Sequence, residues 1–227
     1  ARGRSAGGRE SAKPLAIESQ RELSEFAVAA FSISFELDYF NVVDILRRSG
    51  LPLLAAERDV RHPLVIAGGP AVTANPEPLA PFVDAFVLGE AEPILPEVVQ
   101  VLADGVGGVK DDLLQALSLL PGVYVPALGA GKTIERLCVA DLDAFPAGSV
   151  VLSRQSELGD MYLMEVSRGC RRGCRFCLAS YLYRPVRGRS VASLKAQASH
   201  GLQRRKRLGL VGAAVSDHPA IDTLVEE

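Results

Sequence analysis

A predicted β-strand leads directly into three clustered cysteines in the stretch Tyr162-Leu-Met-Glu-Val-Ser-Arg-Gly-Cys170-Arg-Arg-Gly-Cys174-Arg-Phe-Cys177. The cysteine spacing is C-x-x-x-C-x-x-C, and Gly169 and Gly173 allow the backbone to curl so that the three sulfurs converge. Three thiolates this close together can hold three irons of a four-iron cluster, which leaves the fourth iron open for chemistry. The sequence therefore predicts an iron–sulfur site at the carboxyl end of this strand.

Two other interpretations of these cysteines remain open. A structural zinc site normally contains two separated Cys/His pairs, whereas the nearest downstream histidine here is His200. The second alternative is a set of unrelated free thiols. The fourth cysteine of the chain, Cys138, lies in an alternating apolar run and is predicted to be an ordinary strand residue.

The cellular compartment is predicted from cysteine usage and hydropathy. A disulfide framework would distribute an even set of cysteines across the chain, whereas the clustering of three of the four cysteines favours a metal site in a reducing cytoplasm. No apolar run is long enough to cross a bilayer. Residues 1–12 are predicted to be a flexible N-terminus, and they contain no apolar signal core. We therefore expect a cytoplasmic protein without a membrane partner.

Positive charge is concentrated around the cysteines. Residues 165–210 contain twelve Arg or Lys and a single acid, Glu165, for a net charge of +11, while the rest of the chain carries 13 basic and 26 acidic residues. Such a segment favours an anionic cluster, an anionic cofactor group or a nucleic acid. Within it, residues 190–208 are predicted to form a helix with a basic last turn at residues 204–207.

Residues 13–108 alternate between predicted strands and predicted helices. Apolar runs rich in β-branched and aromatic residues predict buried strands, and periodic apolar positions predict helices. Asn75 and Pro76 have the chemistry of a helix N-cap and a first helical position. The alternation predicts a Rossmann-like α/β domain whose parallel sheet is covered on both faces. The predicted strands are 26–34, 63–67 and 83–88, and the predicted helices are 39–49 and 92–103.

Residues 109–158 are predicted to connect this domain to a second one, which begins at residue 159 and continues to residue 227. The connecting segment contains a predicted short helix at 113–120 and a small β excursion formed by 122–126 and the run around Cys138. The predicted elements of the second domain are a strand at 162–167, the helix at 190–208 and a strand at 209–215.

At the cysteines the chain resembles the radical S-adenosylmethionine (radical SAM) superfamily. The signature of that superfamily, C-x-x-x-C-x-aromatic-C, is matched by Cys170, Cys174, Phe176 and Cys177. The resemblance implies that residues 159–227 form the first β/α units of a partial (β/α) barrel, and that the three cysteines hold a [4Fe-4S] cluster.

The same resemblance implies a reaction. S-adenosylmethionine would bind the open iron and be cleaved reductively to methionine and a 5′-deoxyadenosyl radical, with Phe176 bordering the adenine. Such an oxidoreductase needs an electron donor such as flavodoxin or ferredoxin. Many members carry a Gly-Gly-Glu motif after the second barrel strand, and this chain does not. Ser216 and Asp217 are the candidate replacements for binding S-adenosylmethionine, and His218 is either a further candidate or a simple loop residue.

The upstream domain resembles the cobalamin-binding Rossmann-like domain that is fused to many radical enzymes. Ser32 and Ser34 follow the first predicted strand, and Gly68 and Gly69 follow the second. In the resembled domain such positions line the nucleotide tail of cobalamin. Its Asp-x-His-x-x-Gly loop, which carries the cobalt ligand, is not found in this sequence. Cobalamin is therefore a possible cofactor that this chain alone is not expected to bind, and an incomplete domain acting as a scaffold is favoured.

The distance from Cys177 to residue 227 is fifty residues, which is room for two barrel strands. A full (β/α) barrel takes about 200 residues or more. We therefore expect a piece of a longer protein, weakly active or inactive alone, with the rest of the barrel as its partner and an unknown substrate. Two other functions remain open: an RNA-binding or tRNA-modifying module that uses the basic segment 165–210, and a non-catalytic iron–sulfur electron carrier.

Overall fold

The computed structural model describes residues 13–129 and 133–226. Residues 1–12, predicted to be a flexible N-terminus, lie outside the described residues. The chain divides into two units, Ala1–Leu137 and Cys138–Glu227. No helix in the described ranges is long and apolar enough to cross a lipid bilayer.

Short strands form the central sheet of the first unit. In the described residues they are β1 (Val28–Ser32), β2 (Leu64–Gly68), β3 (Ala85–Val87) and β4 (Val123–Tyr124), in this order across the sheet. β1, β2 and β3 run parallel, as predicted, and β4 pairs antiparallel with β3 at the edge. The segment 122–126 therefore belongs to the main sheet and not to a separate β excursion. Pairing extends beyond β3 because the amide of Leu88 donates to the Gly122 carbonyl at 2.8 Å.

Helices cover both faces of this sheet. They are α1 (Asp38–Arg48), α2 (Pro70–Ala74), α3 (Leu95–Gly105) and α4 (Lys110–Ser118). Alternate strand residues face opposite sides, as the period of two requires. Ala29 and Val65 pack into one core with α1 and α2, and Leu64 and Ala85 pack into another with α3 and α4. The structure thus confirms the predicted α/β class and the covering of both faces.

The helix predicted to start at Asn75 is reduced to a 3-10 turn, Glu77–Leu79. Asn75 ends α2 and Pro76 is the N-cap of the turn, although the Asn75 side-chain oxygen accepts a hydrogen bond from the Glu77 amide at 3.2 Å. Prolines at 76, 78 and 81 have no amide hydrogen to donate, and a longer helix needs those donors. The prediction was therefore wrong both in the position of the cap, since Pro76 and not Asn75 precedes the turn, and in the length of the element.

The strand predicted around Cys138 is not formed. Leu137 makes only an isolated parallel bridge to Gly89, and Cys138 itself is exposed and outside any strand. The ladder stays this short because β3 has already ended at Val87.

A buried ion cluster holds the first unit together below the sheet. Asp84 accepts hydrogen bonds from the Val65 amide at 2.8 Å and from the Arg58 guanidinium at 3.0 Å. Lys110 of α4 approaches the same carboxylate at 2.8 Å, and the Arg58 and Asp84 side chains are both 1% exposed. Removing one partner of such a pair leaves a buried charge without compensation, which is more costly than the pair itself is stabilising.

The second unit is built from two small sheets and the helices that cover them. Its described elements are β5 (Met161–Glu165), β6 (Ser167–Arg168), α5 (Ala179–Leu182), β7 (Arg187–Gly188), α6 (Val191–Leu202), β8 (Arg207–Val211) and α7 (Ile221–Glu226). β5 and β8 pair in parallel, with α6 between them in sequence, and β6 and β7 pair antiparallel. The β5–α6–β8 arrangement is one β/α unit of the kind predicted for this segment.

The helix predicted at residues 190–208 is too long. α6 ends at Leu202, and β8 begins at Arg207 instead of residue 209. A turn separates them, because the amides of Arg204 and Arg205 both donate to the Gly201 carbonyl at 2.9 Å. The basic residues 204–207 therefore form a turn and the start of a strand, and not the last turn of a helix.

Replacing Asp84 by Asn should destabilise the first unit by about 3 kcal/mol, because the Arg58 guanidinium would stay buried without an anionic partner. Urea denaturation monitored by circular dichroism, together with hydrogen exchange of the Val65 amide, measures this loss. Asp59→Asn is the matched control, since Asp59 pairs with Arg61 at the surface with side chains 47% and 81% exposed. Equal unfolding midpoints for the two variants would contradict the assigned role of the buried cluster.

Candidate metal centre

All three clustered cysteines lie on one loop, residues 169–186, which we call the cysteine loop. The pairing of β6 with β7 closes its base, with Ser167 opposite Gly188 and Arg168 opposite Arg187. At its start, Gly169 has a φ of +88°, and a Cβ there would lie 2.4 Å from the Tyr183 carbonyl oxygen. Only glycine fits this position, so the backbone turns here as predicted, whereas the predicted convergence of the three sulfurs is not seen in the described residues.

The three thiols are free, and they differ in their access to solvent. Cys170 is buried, while Cys174 and Cys177 are half-buried. The Cys177 amide donates to the Cys174 carbonyl at 3.0 Å, which places these two residues in one tight turn. Across the ranges that the structure describes, no three His, Cys, Asp or Glu side chains converge closely enough to hold a metal ion. The loop therefore carries the predicted donor atoms without gathering them.

Cys177 has the most favourable position for a thiolate. The Ser180 amide, at the start of α5, donates to the Cys177 carbonyl at 3.2 Å. Hydrogen bonding by the Ser180 amide lowers the pKa of the Cys177 thiol, and the Ser180 hydroxyl and the Ala179 amide act in the same direction. A lower pKa increases the thiolate fraction at neutral pH, and the thiolate is the form that binds metals and reacts with alkylating agents.

The loop that follows β8, residues 212–220, lies beside the cysteine loop; we call it the β8–α7 loop. A surface clasp joins the two, because the Arg172 guanidinium donates to the Asp217 carboxylate at 2.9 Å. The same hydrogen bond lowers the pKa of Asp217. Asp217, predicted to bind S-adenosylmethionine, is thus already engaged by an arginine, while its neighbour Ser216 is exposed.

A small cavity of about 100 Å³ lies between these two loops, lined by Cys170, Gly188, Asp217 and His218 among others. It is smaller than the roughly 300–1,000 Å³ of pockets that hold cofactor-sized ligands. A more open depression of about 560 Å³ adjoins it beside Cys170 and Arg184. Phe176, predicted to border an adenine, contributes to neither and is 91% exposed.

His218 is a structural residue in this geometry. Its Nδ1 accepts a hydrogen bond from the Ala220 amide at 3.2 Å, so the ring proton is on Nε2. That nitrogen donates to the Arg189 carbonyl at 2.9 Å. Both ring nitrogens are therefore in use, and of the two sequence interpretations the loop residue is the one that fits.

A buried polar network was missed by the sequence analysis. The Arg189 side chain is 0% exposed and donates to Glu165 at 2.7 Å, and Arg168 donates to the same carboxylate at 2.9 Å. Arg168 stands two residues before Cys170, so the network ends at the start of the cysteine loop. One signal was available in the sequence: Glu165 is the lone acid of the +11 segment.

The positive segment does not form one patch. Arg168, Arg172 and Arg189 are paired with carboxylates, and Arg205 donates to the Gly159 carbonyl at 3.0 Å. The exposed residues Arg204, Lys206 and Arg207 lie just before β8 and at its first residue, whereas the cysteine loop follows the carboxyl end of β5. Five residues of parallel strand, about 3.3 Å each, separate these two ends.

In the first unit, the sheet brings together the residues predicted to line a cobalamin tail. Ser32 pairs with Gly68 in the β1–β2 register. However, a Cβ on Gly69 would lie 2.6 Å from the Ile33 carbonyl oxygen. The Ala71 amide donates to that carbonyl at 3.1 Å, so the chain's own backbone fills the space.

A second glycine at the same edge has the same explanation. Gly89 follows β3, and a Cβ there would lie 2.3 Å from the Leu137 carbonyl oxygen. Cavities of about 310 and 480 Å³ in this unit open elsewhere, one near Phe26 and Pro63 at the amino ends of β1 and β2 and one near Asp84 and Lys110. Close packing against the chain's own backbone therefore explains why glycine is present at positions 69 and 89, without a bound ligand.

Comparison with known proteins gives two findings. Residues 5–126, more than half of the chain, match the family model described as radical SAM proteins, N-terminal. An uncharacterized protein of Methanocaldococcus jannaschii is 28% identical over 212 residues, which cover 90% of this chain and 42% of that protein. The chain thus spans less than half the length of this relative.

Alkylation should distinguish the three loop thiols. With limiting iodoacetamide at pH 7, we expect Cys177 to react fastest, because its pKa is lowered and it is half-buried at most, and Cys170 to react slowest because it is buried. Mass spectrometry of tryptic peptides measures the three rates. Exposed Cys138 is the internal control for access, and Ser180→Pro, which removes the directing N–H, should slow the labelling of Cys177. Equal rates at Cys170 and Cys177 would contradict this geometry.

Proposed function

The chain belongs to the radical SAM proteins, in the family formed by their N-terminal region, and from this premise we propose that its cysteine loop holds a [4Fe-4S] cluster that binds S-adenosylmethionine. The observation that carries the proposal is the presence of three free thiols on one loop at the carboxyl end of β5. That end of a parallel β/α arrangement is where such folds place their active sites.

The residues present fit the cluster in type and number. Thiolates are the preferred ligands of iron–sulfur clusters, and Cys170, Cys174 and Cys177 supply three. The lowered pKa of Cys177 increases its thiolate fraction, and the thiolate is the form that binds metals. Since the three sulfurs are not gathered, binding requires the loop to rearrange, as is usual where metal binding is coupled to folding.

When bound, the cluster and S-adenosylmethionine together supply a one-electron reductive cleavage that yields methionine and a 5′-deoxyadenosyl radical able to abstract hydrogen from a substrate. The protein's own residues would bind and orient the cluster and S-adenosylmethionine. Exposed Arg171 and Arg175 offset the negative charge of a thiolate cluster. Phe176, exposed beside the cysteines, offers its ring to the adenine.

Asp217 and Ser216 are proposed to receive the ammonium group of S-adenosylmethionine. Asp217 is paired with Arg172, whose side chain is 63% exposed, and exposed ion pairs are weak. The pair can therefore open at little cost, which frees the carboxylate for a positively charged ligand. Arg172 would then turn towards the cluster or towards solvent.

The proposal does not include cobalamin. The packing of Gly69 against Ile33 and of Gly89 against Leu137 argues against a ligand at the carboxyl edge of the first sheet. We propose that the first unit acts as a scaffold for the second.

The reaction of the whole protein needs more than this chain. The relative in Methanocaldococcus jannaschii is more than twice as long, and we propose that further barrel strands, from chain outside residues 1–227, complete the site and select the substrate. A cytoplasmic electron donor such as flavodoxin or ferredoxin would supply the electron. This chain alone should be weakly active or inactive.

RNA binding is a second candidate function. The observation that favours it is the run of exposed cations Arg204, Lys206 and Arg207 at the end of the unit opposite the cysteine loop. Phosphate contacts by such a cluster would leave the cysteine loop accessible. A non-catalytic electron carrier remains a third candidate, and it differs from the leading one in never cleaving S-adenosylmethionine.

Cys174→Ala should lower the iron bound per chain at least twofold after anaerobic reconstitution with iron and sulfide, because a two-thiolate loop cannot hold the cluster. Iron and sulfide analysis with electron paramagnetic resonance measures this, and Cys138→Ala is the matched control. Iron content unchanged in Cys174→Ala would refute the cluster. Release of 5′-deoxyadenosine by the wild type separates a radical enzyme from an electron carrier, and robust turnover would show that further barrel strands are not required.

Neutralising Arg204, Lys206 and Arg207 to Gln should weaken RNA binding and reduce the slope of log K against log salt by about 2, since each phosphate contact to a single strand contributes about 0.7. Fluorescence anisotropy with a single-stranded RNA over a range of salt concentrations measures this slope. The Arg171→Gln/Arg175→Gln variant is the control at the other end of the unit. An absence of binding by the wild type at low salt would remove this candidate.

A further inference from the structure

We propose that Arg189 and His218 are positioning residues that fix the base of the cysteine loop and hold Cys170 in its buried place. Together with Glu165 they form what we call the latch. The inference rests on the proposed function and deepens it, because it names residues outside the cysteine motif on which metal loading would depend.

Arg189 is the centre of the latch, since contacts from both its backbone and its side chain converge there. The guanidinium is 0% exposed and donates to Glu165 at 2.7 Å, and it also donates to the Leu142 carbonyl. The Arg189 amide donates to the Val166 carbonyl at 3.0 Å. A buried guanidinium is tolerated only when it is paired, so these contacts fix residue 189 against the carboxyl end of β5.

His218 ties the β8–α7 loop to the same point. Its Nε2–H donates to the Arg189 carbonyl at 2.9 Å, and the Ala220 amide donates to its Nδ1 at 3.2 Å. The ring lies against Gly188, where a Cβ would be only 3.1 Å from two ring atoms. The ring therefore has one orientation, set by two hydrogen bonds and one close contact.

The latch reaches Cys170 by two routes. Through the chain, Glu165 accepts a hydrogen bond from Arg168 at 2.9 Å, and Arg168 is followed by Gly169 and Cys170. Through space, the His218 ring and Cys170 line the same small cavity. Loosening the latch would therefore expose Cys170 without altering the turn that contains Cys174 and Cys177.

The latch differs from the surface clasp between Arg172 and Asp217. The clasp has side chains 63% and 38% exposed, and water competes for both partners. In the latch Arg189 and His218 are buried and Glu165 is 23% exposed, and it joins β5, the end of β7 and the β8–α7 loop. We infer that the latch stays closed while the clasp exchanges its partners when a ligand arrives.

The test uses the rate of alkylation of Cys170 in the full chain without added metal, relative to Cys138. His218→Phe keeps an aromatic ring and removes both hydrogen bonds, so labelling of Cys170 should rise at least tenfold while labelling of Cys177 changes less than twofold. His218→Gln retains a donor in the place of Nε2 and should restore slow labelling. His200→Phe, the same substitution at an exposed histidine of α6, should leave all rates unchanged.

Unchanged labelling of Cys170 in a folded His218→Phe protein would overturn the latch, and so would a failure of His218→Gln to restore slow labelling. Circular dichroism verifies folding. If His218→Phe does not fold, Gly188→Ala presses on the ring more mildly, and it should raise Cys170 labelling at least threefold; no rise in that variant would also overturn the latch.

Iron uptake gives the second readout and separates this inference from the proposed function. In the latched wild type, iron per chain after reconstitution should exceed that of His218→Phe at least twofold. Equal iron in the two proteins would overturn the positioning role. If the wild type takes up no iron, the proposed function fails, whereas the labelling of Cys170 still decides whether the latch exists.

Discussion

A buried guanidinium organises the second unit around its cysteines. Arg189 binds Glu165 at the end of β5, accepts a hydrogen bond from His218, and immediately follows the strand that closes the cysteine loop. A charge without solvent must be paired, and this requirement fixes three chain segments at one point. The first unit uses the same device, since Arg58 and Asp84 are equally buried and join β2 to the segment before β3.

The family match and the clustered thiols lie in different units. The family match ends at residue 126, within the first unit, whereas the thiols and the clasp lie in the second. In the first unit the carboxyl edge of the sheet is filled by backbone that packs against Gly69 and Gly89. In the second unit the corresponding edge carries an irregular loop with free thiols. The clustered thiols and the exposed clasp therefore both belong to the second unit.

The local sequence predicted the α/β alternation because the helices have one apolar face and the strands, covered on both faces, are short apolar runs. The sequence-based prediction failed where residues distant in the sequence determine how a segment folds. Residues 204–207 extend a helical pattern, yet hydrogen bonds to Gly201 and Gly159 end the helix early. Residues 122–126 were assigned to a separate β excursion because nothing local shows that β3 will pair with them.

Only those parts of the candidate site that depend on local sequence could be predicted. The cysteine spacing and Gly169 are local features, and both could be found in the sequence. The latch joins residues 24 and 29 positions apart, and no local pattern marks such a pairing. The strongest sign in the sequence was compositional, because Glu165 is the one acid among the twelve bases of residues 165–210. A single carboxylate surrounded by so many cations is expected to form an ion pair with one of them.

Burial decides which contacts of the site can change. The Arg172–Asp217 clasp is exposed, so its hydrogen bonds exchange with water at little cost. In the Arg189–Glu165 pair the guanidinium is 0% exposed and the carboxylate 23% exposed, so opening the pair would leave a buried positive charge without its partner. Cys170 sits beside the buried contacts, whereas Cys174 and Cys177 lie on the more exposed turn. Of the three thiols, Cys170 is therefore the one held next to the buried contacts, and any rearrangement that gathers the sulfurs, as the proposed cluster requires, would fall on the turn of Cys174 and Cys177.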